Sequence, residues 1–186
     1  MQHIALLQLI NTSITETLGV VKKQTVAATT LAVATAAGLG SVASRPRASG
    51  WYAHLRRPRY VPPNGVFPVA WTLLYTDIAG TSAVAVDRLR AAGRPGADRE
   101  ARNYVVALAT NLILNAGWSW LFFRYHKLGA SAVGAVALAA SSADLARRTA
   151  AADRRAGAAL LPYPLWCAFA TAMSGHVWIL NRRRDR

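Results

Sequence analysis

The sequence predicts an all-α fold, an integral membrane bundle of five transmembrane helices, and three observations carry that reading. Of the 186 residues, 53% are hydrophobic and only 16% are charged. The charges are lopsided, 22 Lys and Arg against 8 Asp and Glu, for a formal net charge of +14. They are also segregated: residues 24–44, 103–123 and 156–181 carry no charge, and 66–86 is interrupted only by Asp77. A shorter apolar run at 128–143 reaches spanning length if its helix continues past Asp144. Runs of about 20 apolar residues cross a ~30 Å hydrocarbon core. Arginines gathered between such runs frame membrane spans, so the basic excess is read as interfacial anchoring and no nucleic-acid partner is expected. The apolar content excludes a disordered basic tail, and a lone cysteine, Cys167, excludes a secreted disulfide scaffold.

Taken in order, residues 1–24 form an N-terminal extension. Leu7, Ile10, Ile14, Leu18 and Val21 fall on one helical face, which suits an amphipathic helix lying in the membrane interface. As a signal peptide the segment fits poorly, because no basic residue precedes its apolar stretch and Asn11, Thr12 and Ser13 interrupt it. The five-helix domain then occupies 25–181, and 182–186 is a basic tail. The first helix, about 25–43, spaces Ala32, Ala36 and Gly40 four apart; the fourth, about 128–146, does the same with Ser131, Ala135, Ala139 and Ala143. Small residues at that spacing let backbones approach closely in lipid, within a bundle or between protomers.

The segment 45–65, between the first and second helices, carries Pro46, Pro58, Pro62 and Pro63 around Trp51, Tyr52 and Tyr60. Rigid φ angles and aromatic rings predict a cap folded over the helix ends rather than a spacer. The connection at 87–102, of Arg, Gly, Pro and acidic residues, reads as a solvated loop, and 147–155 as an Arg-rich interfacial turn. Orientation is undetermined by charge: with five spans, eleven Lys and Arg fall on each side of the membrane.

Depth arithmetic places the chemistry. At ~1.5 Å per helical residue, Trp71, Trp118 and His176 lie ~8 Å below the capped face, Asn115 ~12 Å and Tyr75 ~14 Å. Trp71 and Tyr75 share a helical face, as do Asn111, Asn115 and Trp118, and these five, with Trp51 and Tyr52 of the cap, are ligand-binding candidates. Tryptophan favours headgroup depth, which accounts for Trp120 and Trp178 as interfacial anchors. An amide in hydrocarbon needs a partner, so Asn115 is either interhelical glue or a ligand donor. An aromatic layer with a few polar tips under a cap suits a flat, apolar, polycyclic ligand with polar edges. Asp77 is the acid well inside a span and is by default a functional candidate, protonated, bonded to Thr76 or Thr81, or reached by water. His176 has the imidazole a haem iron would take, without a second ligand at metal spacing. Leu121, Tyr125 and Lys127 satisfy the loose sterol-contact pattern. No glycine-rich phosphate loop, metal cluster or nucleophile triad is present in the sequence, and no cofactor is expected as obligatory.

At these residues the chain resembles the translocator protein, or tryptophan-rich sensory protein (TspO/MBR), family. The resemblance runs from Trp51-Tyr52, Leu55, Arg57-Pro58 and Pro62-Pro63, through Phe67-Pro68, Trp71-Thr72 and Tyr75, then Asn115, Trp118 and Phe122-Phe123. It continues to Pro162-Tyr163, Trp166, Phe169-Ala170 and Leu180-Asn181. It implies a five-helix bundle, commonly a homodimer, with a pocket under the first loop for porphyrins and benzodiazepine-type ligands, in the cell membrane of a bacterium. Trp71 and Asn115 match ligand-bonding positions; Trp51, Tyr75, Trp118, Trp166 and Ala170 match other pocket or lid positions. Trp166, ~22 Å down by the same count, fits only if the helix breaks near Pro162 or Pro164 or the pocket is deeper. Tyr60 and Arg57 stand where the family usually has Trp and Lys. Ser174-Gly175-His176 stands where mitochondrial members carry Asn-Tyr-Tyr, so high-affinity cholesterol binding is not expected.

The function expected from the layer and the resemblance together is a receptor or transport-linked regulator whose ligand is a porphyrin, haem or a similar polycyclic molecule. Two alternatives stand beside it. One is an enzyme degrading porphyrin in light and oxygen, with Trp71 and Trp166 as electron relays; the other is a proton-coupled transporter using Asp77.

Overall fold

The computed structural model describes residues 21–44 and 47–182. Among these residues all regular secondary structure is helical, with no strand. In chain order the helices are α1 (Lys23–Ala43), α2 (Arg47–Ala53), α3 (Val66–Ala91), α4 (Ala97–Ser119), α5 (Leu128–Ala152), α6 (Arg154–Ala159) and α7 (Pro162–Asn181). A π-helical turn, Trp120–Arg124, extends α4. Five helical stretches are long and apolar enough to cross a membrane: Lys23–Ala43, Val66–Ala91, Ala97–Arg124, Leu128–Ala152 and Arg154–Asn181. The chain is therefore an integral, multi-pass membrane protein. The proposed interfacial helix of the N-terminal extension and most of the basic tail lie outside the described residues.

Four boundaries differ from the sequence reading. Helix α5 runs past 146 to Ala152, so Arg147 and Arg148 belong to a helix and not to a turn. Helix α3 runs past 86 to Ala91, so Asp87 and Arg88 belong to a helix and not to a solvated loop. Asp87 is buried, and its carboxylate accepts from the Lys22 N–H and from the Thr25 hydroxyl at 2.7 Å. It thus supplies from another helix the acceptor that the first turn of α1 lacks, where free N–H groups favour negative charge. Helix α4 begins at Ala97 rather than 103, after Gly96 at φ +87°, a backbone turn that glycine allows cheaply. The fifth span is two helices. Asp153 caps α6 by accepting from the Ala156 N–H at 2.9 Å, and Pro162 restarts the chain at the first position of α7, where its missing N–H costs nothing.

Helix α1 packs on α3 and α4, while α5 sits centrally against α4 and α7; α3 and α7 barely touch. Of the predicted small-residue stripes, Ala36, Gly40, Ser131 and Ala135 are buried in the bundle, whereas Ala32 and Ala143 are exposed. The close approach has visible consequences. A Cβ on Gly40 would lie 3.2 Å from the Ser119 hydroxyl, and Thr171 of α7 donates to the Ala135 carbonyl of α5 at 2.9 Å. At the α5–α6 corner a Cβ on Gly157 would lie 2.4 Å from the Ala150 Cα, so only glycine fits.

The segment after α2 is not simply a cap over the helix ends. The Asn181 amide grips both polar backbone atoms of Arg56, accepting from its N–H at 3.1 Å and donating to its carbonyl at 2.9 Å. Tyr60 then reaches the Ala172 carbonyl at 3.4 Å, and the Phe67 ring meets Trp166 at 6.0 Å. Successive residues meet successively deeper turns of α7, from 181 to 166, a descent of ~22 Å. The prolines of 58–63 hold an extended strap along the flank of α7, and that strap covers the gap between α3 and α7.

Candidate functional site

Two apolar clusters meet beneath the strap. The larger, through the middle of the bundle, includes Leu74, Ile78, Leu112, Tyr163 and Cys167, with Trp71, Tyr75 and Trp166 packed on its edge. The other, toward the strap end, is built on Trp118, Phe122, Met173 and Val177, with Trp51, Tyr52, Phe67 and Phe169 against it. The predicted aromatic residues therefore gather along the seam between α3, α4 and α7.

Its walls are rings. Trp71 and Tyr75 lie with centroids 5.4 Å apart on α3; Trp166 meets Phe169 at 5.7 Å on α7; Trp118 stacks on Phe122 at 5.4 Å on α4. Ala170, one turn above Trp166, is half-buried on the same face of α7. The roof is closed by Trp51, stacked on His126 at 4.0 Å and edge-on to Phe122 at 5.8 Å, and by Tyr52, 6.1 Å from Phe122 and 6.0 Å from Phe123. His126 holds a left-handed backbone at φ +56°, uncommon for a residue with a side chain. The π-turn at Trp120–Arg124 inserts an i→i+5 step, with Tyr125 N–H donating to the Trp120 carbonyl at 2.9 Å, and so places Phe122 and Phe123 under the roof.

The polar groups divide sharply. Asn111 is fully buried and fully engaged: its Oδ1 accepts from Tyr163 at 2.7 Å and its Nδ2 donates to Ser141 at 3.2 Å, tying α4 to α7 and α5. Asn115, one turn nearer the roof, accepts from the Tyr75 hydroxyl at 2.7 Å through Oδ1. Its Nδ2 is buried and meets no acceptor among the described residues. The indole Nε1 of Trp118, three residues on, is buried and unanswered as well. Leaving a buried donor unpaired costs about 1–3 kcal/mol, so two such donors on one helical face are the least expected feature of the bundle.

Two predicted residues stand outside this layer. Asp77 is two residues from Tyr75, so it projects ~200° around α3 from it. The expected bonds to Thr76 or Thr81 are not made by its carboxylate: Thr81 donates to its backbone carbonyl at 2.7 Å, and Thr76 donates to Thr72 at 2.9 Å. His176 is exposed and meets Tyr60 of the strap at 3.4 Å, on the flank of α7 rather than in the seam. A helix break does not resolve the depth conflict over Trp166, since α7 is continuous from Pro162 to Asn181; instead the layer runs deeper, and the chain descends with it until Phe67 at the start of α3 meets Trp166. Of the interfacial tryptophans, Trp120 donates to the Leu39 carbonyl at 3.1 Å and so binds α4 to α1, whereas Trp178 is exposed against Gly129. Sequence reasoning did not single out Tyr163, Ser141, Phe67 or Phe169 as parts of this constellation. Phe67, Tyr163 and Phe169 stand within the quoted motif blocks, but the partners that give them roles come from distant helices.

The pattern of the TspO/MBR family matches residues 28–179. The chain is similar to the tryptophan-rich protein TspO of Archaeoglobus fulgidus, 32% identical over 158 residues, which covers 83% of this chain and 95% of the relative. It is 30% identical over 131 residues to protein CrtK of Rhodobacter capsulatus, with 70% and 78% covered. With the translocator protein of Bos taurus it shares 28% identity over 146 residues, covering 78% and 83%.

Proposed function

The chain belongs to the TspO/MBR family of membrane proteins, and from that premise we propose that it is a receptor or transport-linked regulator that binds a tetrapyrrole, such as a porphyrin or haem, in the seam beneath the strap. The observation that carries this reading is the pair of buried, unanswered donors, Asn115 Nδ2 and Trp118 Nε1, among stacked rings. Aromatic walls suit the face of a flat macrocycle, and the two N–H groups suit acceptor oxygens on its edge. The strap adds charge of the right sign. Residues 44–76 contain no acid, and Arg56, Arg57 and Arg59 stand along the entrance. Arg57 lies over the Tyr52 ring at 4.8 Å, within reach of a ligand carboxylate at the rim. In this mechanism Trp71, Tyr75, Trp118 and Trp166 sandwich the macrocycle, and Asn115 fixes its orientation. Trp51 and Tyr52 close the roof behind it, so release requires the Trp51–His126 stack to open.

Titrating the purified protein with protoporphyrin IX and following tryptophan quenching tests the site. The expected result is saturable binding that weakens at least about tenfold in Asn115→Ala with Trp118→Phe, the loss of roughly 1.4 kcal/mol. Unchanged binding in that variant would exclude this seam.

A further inference from the structure

We infer that the opposite end of the bundle carries a second, independent site for an anionic phospholipid, in the groove between α5 and the α6–α7 corner. The groove measures about 480 Å³, with Ala143, Ala150, Gly157 and Pro164 along its floor and Arg147 and Arg154 at its rim. Its shape follows from the corner itself. Gly157 lets α6 meet Ala150 backbone to backbone, and the small side chains on either side leave a trough that no described residue fills. From Arg154 at the rim to Pro164 on the floor is ten residues, ~15 Å, about half of the hydrocarbon core and so the depth of one leaflet, while Arg147 stands one turn above Ala143, a position from which its long side chain reaches the interface. An acyl chain fits that depth, whereas a free anion would leave the apolar floor uncovered.

The rim selects the headgroup. Arg88, Arg147, Arg148, Arg154 and Arg155 gather at this corner, and the carboxylates that pair with any of them among the described residues are Asp144 and Asp153. Asp144 is shared between Arg147 and Arg148, and Asp153 is held by Arg88 at 3.3 Å and by its own capping bond to the Ala156 N–H. Arg154 therefore has no carboxylate partner among the described residues, and the local field at the membrane interface is positive. Guanidinium groups at headgroup depth above an apolar trough match a phosphodiester carrying net negative charge.

The test compares the full chain in phosphatidylcholine nanodiscs with and without phosphatidylglycerol. Phosphatidylglycerol is expected to raise the thermal midpoint by about 3 °C or more, because a ligand that binds only the folded state stabilises it by mass action. That rise is expected to vanish in Arg147→Gln with Arg154→Gln. It is expected to shrink in Ala143→Leu, a substitution at an exposed position that fills the trough without touching a charge. Equal midpoints in the two lipids would overturn the site, as would a rise that survives both variants. A rise reproduced by inorganic phosphate in pure phosphatidylcholine would overturn it too, since the occupant would then be a free anion.

Discussion

The two ends of the bundle bury polar groups in opposite ways. Away from the strap, every buried hydrogen-bonding side chain named above is answered. Tyr104 bonds Ser82 at 3.1 Å and Thr149 at 2.8 Å, all three buried, and Asp87 caps α1 through Thr25. Toward the strap the contacts are mostly between rings, and the unanswered buried side-chain atoms among the described residues, Asn115 Nδ2, Trp118 Nε1 and Ser174 Oγ, all lie in that half. The contrast is sharpest within one turn of α4, where Asn111 uses both ends of its amide and Asn115 uses one. The same residue type, at nearly the same depth, is structural in one place and available in the other. What separates them is the set of partners: α5 and α7 each supply one to Asn111, while Asn115 receives one, from α3. Nothing in the structure explains the Ser174 hydroxyl.

The bonded end breaks most severely at its corner. Gly157→Val would drive a side chain into the Ala150 backbone, where nothing flexible can yield. Overpacking of this kind costs about 3 kcal/mol or more, and thermal unfolding in detergent is expected to show a large loss of folded protein. Next comes Asn111→Leu, which strands the Tyr163 hydroxyl and one bond of Ser141. A loss of about 2 kcal/mol is expected in the same assay, with retained porphyrin binding per folded molecule. If Asn111→Leu abolished binding while leaving the midpoint unchanged, the division between the two asparagines would be wrong. Asp87→Ala removes the acceptor at the head of α1, and a loss of about 1 kcal/mol is expected, as for other helix caps.

How much of this was legible in the sequence follows from the range of each interaction. The five spans were readable because charge segregation is a one-dimensional signal, and the shared face of Asn111, Asn115 and Trp118 because helical period is a local rule. Asp87 was misread as a solvated loop residue because its partners, Lys22 and Thr25, lie more than sixty positions away. The strap was misjudged in a similar way: prolines at 58, 62 and 63 announce a rigid segment but not its direction, which is set by Asn181, Ala172 and Trp166 on the last helix. Asn111 was read as ligand-binding together with Asn115, because helical period gives a shared face but not the Tyr163 and Ser141 partners from distant helices that engage both ends of its amide.

The smallest expected effect on stability is the most informative. Tyr75→Phe combined with Asn115→Leu removes a hydrogen-bonded pair together with the unanswered amide, leaving apolar groups of similar size. Replacing both partners of a buried bond is nearly neutral, and losing an unpaired donor is favourable, so the midpoint should stay within about 0.5 kcal/mol of the parent or rise. Porphyrin affinity should fall at least about tenfold in the same protein, because the orienting donor is gone. The matching pair, Tyr163→Phe with Asn111→Leu, still strands Ser141 and should destabilise instead. Opposite signs from two chemically identical double substitutions, one turn apart, would show that the strap end gives up stability for binding. A stability loss of equal size in both would mean that Asn115 is glue after all.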